Sequence, residues 1–191
     1  MDWDARYLAG DTPWDKGVES PVISEILERI TFGKEIWLPG VGLGHDARYI
    51  AQQLPQSKVT GIDISNTVIE QARALSIPPN LRFQKADIFD LRTKERCDTW
   101  FEHTCYCAIN PELRGAYRNA ALHNLSPGGI LAGIFFASGG KDPQEGPPFF
   151  STEEEILDRF SEEFTLIDKW MPKSNYAGRE GLETVFIFQR Q

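Results

Sequence analysis

The sequence predicts an α/β fold, a doubly wound and mostly parallel sheet of seven strands that ends in an antiparallel hairpin. Three observations predict it. Strand-length apolar runs alternate with helical patterns from Glu35 to Phe136, and a glycine-rich turn joins the first strand to its helix. The last two strand candidates then follow one another with no helix between them, so they are expected to pair antiparallel.

In chain order, an aromatic N-terminal arm runs to Trp14. Ser20-Pro21 reads as an N-cap with proline at the first helical position, and Val22, Ile23, Ile26, Leu27 and Ile30 recur at helical spacing. Glu35 to Pro39 is the first strand and His45 to Leu54 its helix. Lys58 to Ile62 and Asn66 to Leu75 form the second strand and helix, with strands over Leu81 to Lys85 and Thr99 to Glu102 after them. Pro111 to Leu125 reads as a helix closed by the Ser126-Pro127-Gly128-Gly129 turn. Ile130 to Phe136 is continuously apolar, as a strand buried on both faces should be. Gly139 to Phe150, rich in proline and glycine, reads as a long loop. Thr152 and Glu155 make a capping box for a helix to Phe160, and Thr165 to Met171 and Glu183 to Gln189 are the final strands.

Composition narrows the functional class. The 191 residues fit one domain, 1–191, with the arm and first helix acting as a lid over residues 35–191. Hydrophobic residues at 41% and charged residues at 25% are ordinary for a globular protein, and no apolar stretch is long enough to span a bilayer. The acidic start Met1-Asp2-Trp3-Asp4 has no apolar core of a signal peptide, so a cytoplasmic protein is expected. Three cysteines are too few and odd in number for a disulfide framework. A net charge of −8 without a Lys/Arg run argues against nucleic acid as partner. The expected partner is a small molecule, and a monomer is favoured over a dimer.

The glycine turn and two carboxylates define a nucleoside site. Glycines in Leu38-Pro39-Gly40-Val41-Gly42-Leu43-Gly44 let the backbone turn sharply and approach a ligand. Asp63 closes the second strand, where a carboxylate can accept from both ribose hydroxyls. Asp87 follows the third strand, placed to accept from an adenine amino group. Alone, the turn is also what a tight strand-to-helix connection needs. A dinucleotide fingerprint would place its third glycine five positions after the first; Gly44 stands four after Gly40, which disfavours a nicotinamide enzyme.

These motifs resemble the class I S-adenosylmethionine methyltransferases, although Leu38 stands where their glycine motif usually carries an acid. The run from Leu38 through Gly44 to His45-Asp46 is similar to the branch of thiopurine S-methyltransferases and plant halide/thiol methyltransferases. So are the lead-in Trp3, Tyr7, Trp14, Asp15 and Gly17, the segment Cys107-Ala108-Ile109-Asn110-Pro111-Glu112, and Gly146-Pro147-Pro148-Phe149. The resemblance implies a Rossmann-like fold, S-adenosylmethionine as methyl donor with S-adenosylhomocysteine as product, and a small acceptor, a thiol or other soft nucleophile. It places Trp3, Tyr7, Trp14, Pro39, Gly40, Gly42, Gly44, Asp63, Ile64, Asp87, Ile88 and Glu102 at the donor. Ring faces attract a sulfonium cation, so Trp3, Tyr7 and Trp14 suit a lid.

Tyr106, Pro148, Phe149 and an exposed Arg179 are expected at the acceptor, with His103 as a general base. Family members carry Tyr or Arg at the His103 position. His45 and His123 read as structural, and Cys105-x-Cys107 lacks the further ligands of a metal site. An O- or N-methyltransferase and a catalytically silent donor-binding module remain alternatives.

Overall fold

The computed structural model describes residues 1–91, 93, 95–137 and 146–191. A seven-stranded sheet has the order β3-β2-β1-β4-β5-β7-β6. Strands β1 (Glu35–Pro39), β2 (Lys58–Asp63), β3 (Leu81–Lys85), β4 (Cys97–His103) and β5 (Leu125–Phe136) are parallel. Strand β7 (Glu183–Arg190) runs antiparallel between β5 and β6 (Phe164–Trp170), as the sequence predicts for the hairpin. The order reverses between β1 and β4, and ligands of such sheets bind above that point, at the carboxyl ends of the strands.

Alternation along the strands divides the core into two layers. Ile36, Leu38 and Phe101 face α2 (Val22–Arg29), α3 (His45–Gln53) and α4 (Asn66–Ala74). Trp37 and Trp100 face α5 (Arg114–Asn124) and α6 (Glu153–Phe160). Tyr106, Phe135, Phe160, Phe186 and Phe188 fill the second layer, with neighbouring ring centroids 5.1 to 6.3 Å apart. Thr152 caps α6 by accepting from the Glu155 amide, as the capping box predicts. No helix among the described residues is long and apolar enough to cross a membrane.

Several boundaries differ from expectation. The arm contains a helix, α1 (Trp3–Ala9): the Asp2 carboxylate accepts from the Ala5 amide at 3.0 Å, and Gly10 closes the helix at φ +68°. Helix α2 begins at Val22, with Pro21 in the preceding turn and Ser20 Oγ accepting from the Val22 amide at 3.4 Å. The expected helix from Pro111 splits into a 3-10 turn, Pro111–Leu113, and α5. Ser126 to Gly129 does not close that helix from outside the sheet. It lies within β5 as a bulge, where pairing with β4 jumps from Cys97–Leu125 to Thr99–Ile130. Of the expected loop, residues 139–145 lie outside the described residues.

Candidate active site

The strand tips β1 and β2 build the site's floor. Leaving β1, Gly40 and Gly42 adopt φ +57° and +55°, left-handed values that glycine accepts at little cost. A Cβ on Gly40 would also lie 2.8 Å from the Cys105 side chain, so the turn is closed against the β4 loop as tightly as glycine allows. Asp63, at the tip of β2, accepts from the Gly42 amide through Oδ2 and from the Ser65 amide through Oδ1, both at 3.0 Å. Burial raises its pKa, which these amides oppose. Asp87 follows β3 and accepts from the Phe89 amide at 2.9 Å.

Above this floor lies a cavity of about 670 Å³. Gly40, Asp63, Ile64, Asp87 and Ile88 line one end. Phe136, Pro148, Phe149, Phe150, Arg179 and Leu182 line the other. Trp3 and Trp14 cover it, their rings edge to face at 5.5 Å. Helix α1 is held down by Asp4, which accepts from the Ser65 hydroxyl at 2.6 Å and the Thr67 amide at 2.9 Å, at the start of α4. The Arg6 guanidinium packs 4.4 Å from the Trp14 ring centre. Tyr7 is not among the lining residues. It accepts from the Trp14 indole N–H at 3.3 Å and sits over Gly42, where burial and the Asp63 charge push its phenol up.

Four site expectations require correction. His103, expected as a base, does not line the cavity and has both ring nitrogens engaged. Nδ1 lies 2.6 Å from Asp46 Oδ2, while Nε2 lies 3.3 Å from Arg179 Nη1 and 3.8 Å from Glu183 Oε1. Burial pulls its pKa down, but the Asp46 and Glu183 carboxylates outweigh burial and lift it to about 9. A cation at neutral pH is no proton acceptor.

Glu102, expected at the donor, points into the second core layer. It accepts from the Cys105 and Tyr106 amides at 3.0 and 2.7 Å and from the Tyr117 hydroxyl. Burial pushes it up to about 7 against these donors. Its work is to hold the Thr104–Tyr106 bend that walls the cavity. Tyr106, expected at the acceptor, is buried in the aromatic layer with Tyr117 and Phe135. Arg179 is not exposed: it is 8% accessible and sits over Phe136 and Tyr176, both ring centres 5.1 Å away. Its Nη1 donates to Glu183 Oε1 at 3.0 Å.

The other expected residues divide between wall and frame. Pro39 is the buried end of β1, and a Cβ on Gly44 would strike Phe83 at 2.5 Å, so both shape the turn. Phe89, Thr104, Leu113 and Phe136 also line the cavity, although no sequence motif singles them out as ligand contacts. Phe136 had a usable signal, because it ends a central parallel strand at the carboxyl edge.

The floor passes a geometric test for a nucleoside-bearing sulfonium. The glycine cradle leaves little room for a side chain, a carboxylate stands at each of two neighbouring strand tips, and two indole rings line the same cavity.

Comparison with known proteins gives concordant results. The sequence model of the family described as thiopurine S-methyltransferase matches residues 1–170. Thiocyanate methyltransferase 1 of Brassica oleracea is 32% identical over 164 residues, 81% of this chain and 70% of that one. The probable thiol methyltransferase 2 of Arabidopsis thaliana is 30% identical over 190 residues, 94% of this chain and 82% of that one. In structure, the 1,6-didemethyltoxoflavin-N1-methyltransferase of Burkholderia thailandensis aligns over 100% of this chain and 86% of that one. Its TM-score is 0.77 at 20% identity, a likeness of fold.

Proposed function

Since the chain belongs to the thiopurine S-methyltransferase family and is an S-adenosylmethionine-dependent methyltransferase, we propose that it methylates a small soft nucleophile, most simply a thiol. One observation carries this reading. Among the described residues lining the cavity the carboxylates are Asp63 and Asp87, both at the donor end, and no histidine is present. Among the described residues, the acceptor end therefore supplies neither a carboxylate nor an imidazole as base. A thiol with a pKa near 8.5 needs none, because roughly a few per cent is thiolate at neutrality. Alcohols and carbon acids do.

The donor supplies an already activated methyl group on a sulfonium. Asp63 would hold the ribose hydroxyls, Asp87 the adenine amino group, with Gly40 beneath and Ile64 and Ile88 at the sides. Trp3 and Trp14 would cover the cation and exclude water, with Tyr7 bracing Trp14. Pro148, Phe149 and Arg179 would bound the acceptor. Alignment of nucleophile, methyl carbon and leaving sulfur is then the enzyme's main contribution, worth roughly 7–11 kcal/mol in well-oriented systems. We place the activity in the cytosol, in keeping with three free cysteines, and in a monomer.

Calorimetric titration with S-adenosylmethionine and S-adenosylhomocysteine tests the donor site. Saturable binding that Asp63→Ala weakens at least tenfold, the loss of about one charge-assisted hydrogen bond, is expected. Turnover is then measured with thiols, thiocyanate, amines and carboxylates. Methylation of amines or carboxylates alone would replace the thiol reading. Donor binding with no product from any acceptor would make the chain a binding module.

A further inference from the structure

Behind the acceptor wall lies a quartet of charged side chains from four parts of the chain, Arg179 and Glu183 buried and Asp46 and His103 largely so. Asp46 comes from α3, His103 from β4, Glu183 from β7 and Arg179 from the loop before β7. Two of these groups and the neighbouring Tyr176 hold the N-terminal segment. Asp46 Oδ1 accepts from the Ser20 amide at 2.8 Å, Arg179 Nη2 donates to the Trp14 carbonyl at 3.5 Å, and the Tyr176 hydroxyl donates to the Val18 carbonyl at 2.6 Å. Of the four, Arg179 reaches the cavity.

The charges do not balance without the histidine. Asp46 and Glu183 contribute two negative charges and Arg179 one positive. With His103 neutral the cluster is net negative, and with His103 protonated it is neutral. In the neutral ring Nε2 accepts from Arg179, whereas in the charged ring Nε2–H is free for Glu183. Protonation thus removes part of Glu183's hold on the guanidinium that faces the acceptor.

We propose that His103 is a positioning residue: through Arg179 and Glu183 it sets the charge that an anionic acceptor meets, and so the affinity for that acceptor without touching it. The proposal rests on the reading of the acceptor as a soft nucleophile bound against Arg179. It departs from the role of base, which would place the ring in the cavity and would act on kcat.

The groups packed around His103 are Asp46 on α3, Tyr176 with its ring stacked at 6.1 Å, Arg179, and Glu183 on β7. Cys107 lies close to Arg179 and Glu183, and Glu102 is the neighbour on β4. Burial pushes Tyr176 up and lifts Cys107 to about 12, so neither ionises below pH 10. Glu102 titrates at about 7 and His103 at about 9.

Thiocyanate is a suitable probe because its charge is constant across this range. It is titrated calorimetrically into the protein saturated with S-adenosylhomocysteine, at pH 7.5 and pH 10. Binding roughly tenfold weaker at pH 10 is expected, the scale of one charge felt across several ångströms of protein. In His103→Gln, whose side chain can still bridge Asp46 and Arg179, the affinity at pH 7.5 should fall to the wild-type value at pH 10 and lose its pH dependence. Donor affinity should stay unchanged in both proteins. That comparison separates His103 from every other group titrating in the window. Thiocyanate binding with equal affinity at both pH values in the wild type overturns the inference and leaves the acceptor reading standing, even if the variant does not fold. A His103→Gln protein with the wild-type pH dependence also overturns it. Absence of thiocyanate binding at either pH, with the homocysteine product bound, overturns both.

Discussion

Two buried carboxylates near the carboxyl ends of β2 and β4, on either side of β1, serve opposite ends. Asp63 meets the cavity with its oxygens braced by backbone amides, whereas Glu102 is sealed in the core and organises a loop. The second case has a consequence for stability. Glu102 is lifted from 4.5 to about 7, so the folded state binds its proton more tightly than the unfolded chain. That advantage is complete below pH 4.5 and is lost as pH rises through about 7. His103, lifted from 6.5 to about 9, adds stability present below pH 6.5 and lost by about pH 9. Thermal denaturation should therefore show Tm falling from pH 6 to pH 9.5 by on the order of 5 °C. Glu102→Gln should flatten the part of the fall below pH 7. At the glycine turn, Gly40→Ala forces a side chain into a left-handed conformation 2.8 Å from Cys105. A loss of about 1–3 kcal/mol in denaturant unfolding is expected, together with weaker donor binding.

Helix α1 has seven residues, too few to be stable by itself in water, and none of them is buried. It persists because Asp2 caps it, Gly10 ends it, and Asp4 reaches across to the first turn of α4, where a negative charge is favoured. Asp4 thus couples α1 to the strand that carries Asp63, since Ser65 bonds to both carboxylates. Asp4→Ala should free the lid while leaving the sheet intact. Donor affinity is expected to weaken roughly three- to tenfold, the reduction produced when the closed form is only partly populated. Hydrogen exchange should rise in residues 3–9 and stay unchanged in β1 and β4. Equal exchange in both proteins would show that the aromatic contacts of Trp3, Tyr7 and Trp14 hold the helix without Asp4.

At the scale of the whole molecule, the site is a by-product of how the sheet is closed on its two faces. The second layer is built almost wholly from rings, and Phe160 stands among Tyr106, Phe135, Phe164 and Phe188 with no accessible surface. Phe160→Ala should cost about 3–5 kcal/mol, because stacked rings leave a void that the backbone cannot collapse into. Since Tyr106 leads directly out of the bend that Glu102 holds, the same substitution should also weaken acceptor binding more than donor binding. Parallel equilibrium unfolding and ligand titrations of the variant test both statements.

The sequence alone determined the parts whose signals are local. Apolar periodicity placed all seven strands, the missing helix before Glu183 implied the antiparallel hairpin, and Gly40, Asp63 and Asp87 of the glycine turn and strand tips line the cavity. Each depends on residues within one strand–turn–helix unit, so each is written in a short stretch of chain. The short α1 escaped notice because its cap and terminator sit beside an aromatic spacing that also fits an extended arm. What tertiary structure decided was direction. Glu102 and His103 are adjacent on β4, and a strand sends neighbouring side chains to opposite faces. Neither residue type told which face held a partner: Tyr117 and the loop amides on one side, Asp46, Arg179 and Glu183 on the other. Arg179 looked like a surface loop residue until Glu183 supplied the buried counter-charge that lets a guanidinium leave water. A side chain's role in this protein was thus set by charges that lie far from it in the chain and become its neighbours when the sheet closes.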